Sequence, residues 1–395
     1  MSLKHSYLLL LTFALLGCEN GSPKKVNVVQ TIIEQVKADF APDKRVAVFS
    51  IDVVENEKGY ILKGESDMPK AVTFLKDRLL AENISFVDSI QLLPSVDLGD
   101  KTSGLIRISV ANLRSNPKHS AELATQATLG TPVKILKKVG DWFYIQTPDK
   151  YLAWVDAGGI TPMTARQMND WKSADKIIYT KTYGHSYTGP NNDNVVSDLV
   201  AGNILSVLKY ADKFYIVQYP DGRQAYVAKD ESQEYDAWLN NLNPNPDALV
   251  ETSKKLMGVP YLWGGTSTKG MDCSGYTKTV YFLNGMVIPR DASQQVHAGK
   301  PIDSTKNFEN LQRGDLLFFG KKATDSTKEK VVHVGMWIGD NEFIHASEMV
   351  RISSMDESAT NYDEFNKNRY LRTKRILKED DDLLINLART AVFKD

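Results

Sequence analysis

The feature that most constrains this chain is an internal repeat. A displacement of 72 residues sets Gly130 on Gly202, Leu136 on Leu208, Lys137 on Lys209, Gln146 on Gln218, Pro148-Asp149 on Pro220-Asp221, Ala153 on Ala225 and Val155 on Val227. Pairs that are not identical keep their character, as in Val133/Leu205, Ile135/Val207, Trp142/Phe214, Ile145/Val217 and Trp154/Tyr226. No gap is needed over about 26 residues, so the middle of the chain holds two copies of one supersecondary unit. Each copy alternates apolar and polar residues in short runs broken by Pro-Asp or Asp-Gly, the pattern of a small β-barrel. The expected boundaries are 99–165 and 166–240.

The flanks differ in period. Val28, Ile32, Ile33 and Val36 have helical spacing, Val46 to Phe49 and Tyr60 to Leu62 read as strands around a turn at Asn56–Gly59, and Pro69 opens a helix with Ala71, Val72, Leu75, Leu79 and Leu80 on one face. Residues 26–98 are therefore a small α+β unit, with packing or spacing as the role its residues imply. Asn241 to Pro246 reads as a linker. The remainder, 247–395, is long enough to bury its own core. The fold class is α+β, with two barrels in the centre. A formal net charge of -1 over 395 residues gives no support to a nucleic-acid partner.

The first twenty residues depart from globular pattern. Lys4 and His5 precede an apolar run from Tyr7 to Leu16, about half the length of a spanning helix, followed by Gly17 and Cys18. The ending Leu15-Leu16-Gly17-Cys18 resembles a bacterial lipobox, which implies cleavage after residue 17, a lipid on Cys18, export, and a membrane anchor in the cell envelope; a plain secretory signal is the alternative. Only two cysteines are present. With Cys18 lipidated, Cys273 has no partner, and an unpaired thiol in an exported protein marks a candidate reactive group.

The surroundings of Cys273 favour reactivity. Tyr276 to Phe282 reads as helix, Asp272 is a candidate N-cap, and Cys273 then falls in the first turn, where the positive helix end favours a thiolate. Downstream, Val331 to Ile338 and Glu342 to Ala346 alternate as two strands of a hairpin. A two-residue loop at Asp340-Asn341 would set His345 opposite Met336, on the face away from His333. A three-residue loop centred on Asp340 sets it opposite Gly335, on the same face and diagonal to His333, and this is the register expected. His333 is then the general base and His345 its orienter. A zinc site from Cys273, His333 and His345 is the rival reading, although no Cys-x-x-Cys or His-Glu-x-x-His spacing accompanies it.

At this point a resemblance can be stated. Tyr261-Leu262-Trp263-Gly264-Gly265, Asp272-Cys273-Ser274-Gly275, Pro289-Arg290-Asp291-Ala292-Ser293, Arg313-Gly314-Asp315, His333-Val334-Gly335 and His345-Ala346 together resemble the NlpC/P60 family across 247–375. Val110 to Pro117, with the aromatic pattern of 130–155, resembles bacterial SH3 domains; the second copy is more divergent. The resemblance implies a papain-like peptidase domain with Cys273, His333 and His345 as catalytic residues, no cofactor, and peptidoglycan stem peptides as partners. The pairing with two SH3-like units is similar to γ-D-glutamyl-L-diamino acid endopeptidases acting on muropeptides with a free N-terminal L-Ala. In that group an acidic residue and a Tyr from the first SH3-like domain, with the Asp before the Cys, hold the L-Ala amine. These map to Glu122, Tyr151 and Asp272. Trp263 would wall the cleft, Ser274 would bond the D-Glu carboxylate, and Asp291 would bind substrate or brace the cleft. Ala292 stands where some of the group carry a hydroxyl. A monomer is expected. A thiol amidase or acyltransferase, or a non-catalytic wall-binding lipoprotein, are the other classes the sequence leaves open.

Overall fold

The computed structural model describes residues 28–56, 59–191 and 194–395; Cys18 and the expected signal segment lie outside the described residues. Among the described residues no helix is long and apolar enough to cross a membrane.

The repeat is visible as topology. In the first barrel the strand order is Ile160–Met163, Ser103–Ile106, Pro132–Val139, Trp142–Gln146, Leu152–Asp156, Val110–Arg114, Leu123–Thr128. The second has the same order, through Ser232–Glu234, Lys176–Tyr179, Ile204–Tyr210, Phe214–Gln218, Gln224–Ala228, Tyr183–Tyr187 and Val195–Val200. Register repeats as well: Trp142 pairs Asp156 and Phe214 pairs Ala228. So does a β-bulge, between Ile135 and Lys137 in one copy and between Val207 and Lys209 in the other. The inward residues Ile135, Ile145 and Val155, and Val217 and Val227, are fully buried, each contributing roughly 1.5–3 kcal/mol through removal from water. The barrels meet edge to edge. Ile204 N–H donates to Leu129 O at 3.0 Å, and Gly130, at φ +80°, lets the backbones approach where a Cβ would stand 2.1 Å from Ile204 O.

The N-terminal unit is helix Val28–Phe40, strands Phe49–Asn56 and Gly59–Ser66, helix Pro69–Ala81 and a third strand, Phe86–Leu92, parallel to the second. Its details differ from the sequence expectation. Val29, not Val28, joins Ile32, Ile33 and Val36 in the core, because 29, 32, 33 and 36 form the i, i+3, i+4, i+7 stripe. Leu80 is exposed. The first strand begins at Phe49, and Val46 instead pairs outward, its carbonyl accepting from Gln146 Nε2 at 3.0 Å. The unit docks on the first barrel through Leu152 N–H to Arg45 O at 2.7 Å and a cluster of Val48, Leu93, Leu136 and Leu152.

Beyond Asn241, Asn245 caps a helix that opens at Pro246, Pro246–Lys254. The last unit is a six-stranded antiparallel sheet in the order Lys300–Asp303, Tyr370–Arg375, Leu316–Lys321, Lys330–Gly339, Glu342–Ser347, Met349–Ser354. Helix Cys273–Phe282 packs on it with Tyr276 and Val280 inward against Phe318, Val334 and Ile344. The chain end does not stay in this unit: Leu387 and Phe393 pack with Trp171, Tyr235 and Trp238 of the second barrel's flanking helices.

Candidate active site

Asp272 is the N-cap of helix Cys273–Phe282, its carboxylate accepting from Gly275 N–H at 2.7 Å. This puts Cys273 in the first turn, 7% exposed. The helix packs on the two strands that carry His333 and His345. Burial, and then the charge of Asp272, push the Cys273 thiol up to about 12, against the Val334 N–H and Arg290.

The hairpin has the expected register by an unexpected route. Met336 pairs Ile344, so Gly335 faces His345. The loop, however, is the two-residue Asp340-Asn341 turn, with φ of +51° and +59°, as in a type I′ hairpin. A bulge between Trp337 and Gly339 restores the offset that a three-residue loop was expected to supply. Gly335 is required there, since a Cβ would come 2.7 Å from Phe343 Cδ2 and 3.2 Å from His345 Cβ. His333 Nε2 lies 2.7 Å from His345 Nδ1, and His345 Nε2 lies 3.1 Å from Ser353 Oγ, with Asp363 Oδ2 at 3.9 Å. Burial, and then His345, hold the His333 imidazole well below its usual pKa; burial lowers His345 to about 4. Both rings are therefore neutral near pH 7, and the Cys273 thiol keeps its proton.

A cleft of about 730 Å³ opens over Cys273, lined by all three domain types. The first barrel supplies Glu122 and Tyr151. Gly264, at φ +77°, presses the turn before Cys273 against Leu123 O, and so carries Trp263 to Glu122, where its indole N–H donates to Oε1 at 2.7 Å. Trp263 is 63% exposed, a wall rather than a core residue. Glu122 has no cation partner among the described residues. Across the cleft Tyr151 O–H donates to Asp291 Oδ2 at 3.1 Å. Burial and the charge of Asp291 hold its phenol well above the usual pKa, so it keeps its proton.

Asp272 and Ser274 line the cleft, as expected, but Asp272 has further partners. Its carboxylate is filled from inside the protein: Arg290 grips it bidentately, Nη2 to Oδ2 at 2.7 Å and Nη1 to Oδ1 at 3.1 Å, and Gly264 N–H adds a bond at 3.0 Å. With Gly275 N–H that leaves little capacity for a substrate ammonium. Arg290 is fully buried, donates to Ser274 Oγ at 3.0 Å and to Thr125 Oγ1 of the first barrel at 2.7 Å. Ser274 is likewise engaged, with Asp272 at 3.3 Å. Arg290 was present in the Pro-Arg-Asp motif without a role; the signal that could have found it is that a buried carboxylate at a helix start requires a cation or several donors. Arg45, from the N-terminal unit, also reaches the cleft, and nothing in its own sequence neighbourhood announces this.

A thiol at the start of a helix that packs on the strands carrying a hydrogen-bonded histidine pair defines the class: a cysteine peptidase. Residues 258–369 match the NlpC/P60 family and residues 109–161 the bacterial SH3 domain. A γ-D-glutamyl-L-lysine dipeptidyl-peptidase of Bacillus cereus is 34% identical over 233 residues, 57% of this chain and 67% of that protein. Dipeptidyl-peptidase 6 of Lysinibacillus sphaericus is 27% identical over 272 residues, 65% of this chain and 92% of that protein. The crystal structure of an NlpC/P60 family protein from Bacillus cereus superposes with a TM-score of 0.59 at 28% identity, covering 70% of this chain and 99% of that one. The chain belongs to the NlpC/P60 family.

Proposed function

We propose that the protein is a peptidoglycan hydrolase that cleaves the γ-D-glutamyl–diamino acid bond of stem peptides with a free N-terminal L-Ala, releasing L-Ala-γ-D-Glu. The observation that carries this reading is the convergence of Glu122 and Tyr151 of the first barrel on the cleft over Cys273. Two B. cereus and L. sphaericus relatives named as dipeptidyl-peptidases support it. Glu122 is the counter-charge for the L-Ala ammonium. Tyr151, whose proton is committed to Asp291, offers its oxygen as an acceptor. Asp272 and Arg290 brace the helix start instead.

The proton wiring follows from the contacts. If His333 Nε2–H donates to His345 Nδ1, His345 Nε2–H is left to bond Ser353, and His333 Nδ1 is free to accept. His333 takes the Cys273 proton as sulfur attacks the γ-carbonyl of D-Glu. The Cys273 N–H at the helix start is the oxyanion donor. The amine leaves with the proton from His333, giving a thioester. Water, deprotonated by His333, hydrolyses it and regenerates the thiol. Export, lipidation of Cys18 and action as a monomer complete the proposal; the mass of the mature N-terminus tests the lipid.

Digestion of L-Ala-γ-D-Glu-diamino acid peptides, followed by mass spectrometry, tests the reaction. Cys273→Ala abolishes cleavage; cleavage that survives it overturns the mechanism. An N-acetylated peptide should be a poor substrate, and equal cleavage of the two forms would sink the ammonium seat.

A further inference from the structure

Arg45 lies in the N-terminal α+β unit, outside both family matches. Its backbone is pinned to the first barrel, with Arg45 O accepting from Leu152 N–H, the residue after Tyr151, at 2.7 Å. Its side chain crosses to the peptidase domain. Nη1 donates to Asp291 Oδ2 at 2.7 Å and to Ser293 Oγ at 2.9 Å. The other edge of the guanidinium grips Asp43, Nε to Oδ1 and Nη2 to Oδ2, both at 2.8 Å. Asp43 also accepts from Gln294 Nε2 at 2.8 Å, and Gln294 Oε1 accepts from Asp291 N–H at 3.1 Å. Arg45, Asp291, Gln294 and Asp43 thus close a ring of hydrogen bonds, and the Asp291 oxygen that Arg45 holds is the one to which Tyr151 commits its proton.

We propose that Arg45 is a positioning residue for the substrate's amino end: by holding Asp291 it fixes the Tyr151 hydroxyl so that its lone pairs face the cleft, making the N-terminal unit part of the specificity machinery. The inference rests on the free-amine reading above. Two effects of Arg45 compete. A guanidinium near the cleft repels an ammonium, but Asp43 already grips this one, so the pair adds little net charge. Loss of geometry therefore outweighs loss of charge, and deleting Arg45 weakens binding of the amine.

The test uses the full chain and the tripeptide L-Ala-γ-D-Glu-diamino acid. Arg45→Met raises KM about tenfold with kcat within about twofold, and leaves the slow cleavage of the N-acetylated peptide unchanged. Arg45→Lys, which keeps one donor toward Asp291, raises KM only about threefold. Where Arg45→Met does not fold, Asp43→Asn, which loosens the far edge of the fork, carries the expectation of a threefold rise. An unchanged or lowered KM in these variants overturns the role of Arg45, as does an equal loss of kcat and of cooperative melting that Arg45→Lys fails to restore. A parent chain inactive on the tripeptide overturns the hydrolase reading and this inference with it; an active parent with an unaltered KM on loss of Arg45 overturns this inference alone.

Discussion

The two barrels share strand order, register and bulge, yet only the first lines the cleft. The difference lies in what each carries on equivalent positions. Seventy-two residues after Glu122 stands Asn194, and after Tyr151 stands Arg223. Arg223 turns to its own Asp221 and, through Nη2, to Arg107 O at 3.2 Å, fastening barrel to barrel. The same contrast appears one strand on. In the first copy Thr125 receives Arg290 and Gln126 bonds Thr266 and Ser267, bracing the turn before the nucleophile. In the second, Asp198 takes Ser109 and Lys269. One scaffold thus serves as a cleft wall or as a buttress according to its exposed side chains, while the buried ones are retained for the barrel itself.

Four measurements sharpen or break this contrast. The largest effect is expected at Arg290, which the first barrel holds. Arg290→Met strands Asp272 in the interior and should cost about 3–5 kcal/mol in denaturant unfolding; a loss below about 1 kcal/mol would mean that the barrel braces nothing essential. Next comes a control that neither barrel touches. The His345 pKa is about 4 folded against 6.5 free, so between these values the unfolded chain binds the extra proton. Stability from this group is present above pH 6.5 and is lost as pH falls through about 4, about 3 kcal/mol in all. Unfolding of His345→Gln should lack that part of the acid destabilisation, and an identical pH profile would contradict it.

Third, Glu122→Gln should raise KM for free-amine peptides about thirtyfold, the worth of a charge-assisted contact of about 2 kcal/mol, while Asn194→Ala changes it less than about twofold. Equal responses would erase the distinction between the copies. Smallest is Arg223→Ala, a half-exposed pair worth less than about 1 kcal/mol; it should lower the melting temperature slightly and leave kcat and KM alone.

How much of this was legible depended on range. The helix start was legible because capping is local: Asp272, Cys273 and Gly275 lie within four positions. The hairpin was legible because alternation fixes faces, although the bulge at Ile338 was not, since one extra residue leaves no mark in a period-two pattern. Glu122, Tyr151, Trp263, Asp272, Ser274 and Asp291 were named through the family resemblance, and the fold brings all six to the cleft. The internal partner of Asp272 could not be read in the same way, because Arg290 lies on another element and reaches the carboxylate only through the fold.

The repeat, the helix carrying Cys273, the histidines on one hairpin face and the family are properties of local period, capping or motif order, and so they can be read along the chain. Which barrel meets the cleft, that Asp272 is satisfied from within, and that Arg45 reaches Asp291 across 246 residues of chain come from packing alone. The physical reason is the same in each case. A charge declares its presence in a sequence, but its partner is chosen by packing, which turns on how the apolar faces of four units stack and which polar groups that stacking leaves to be satisfied.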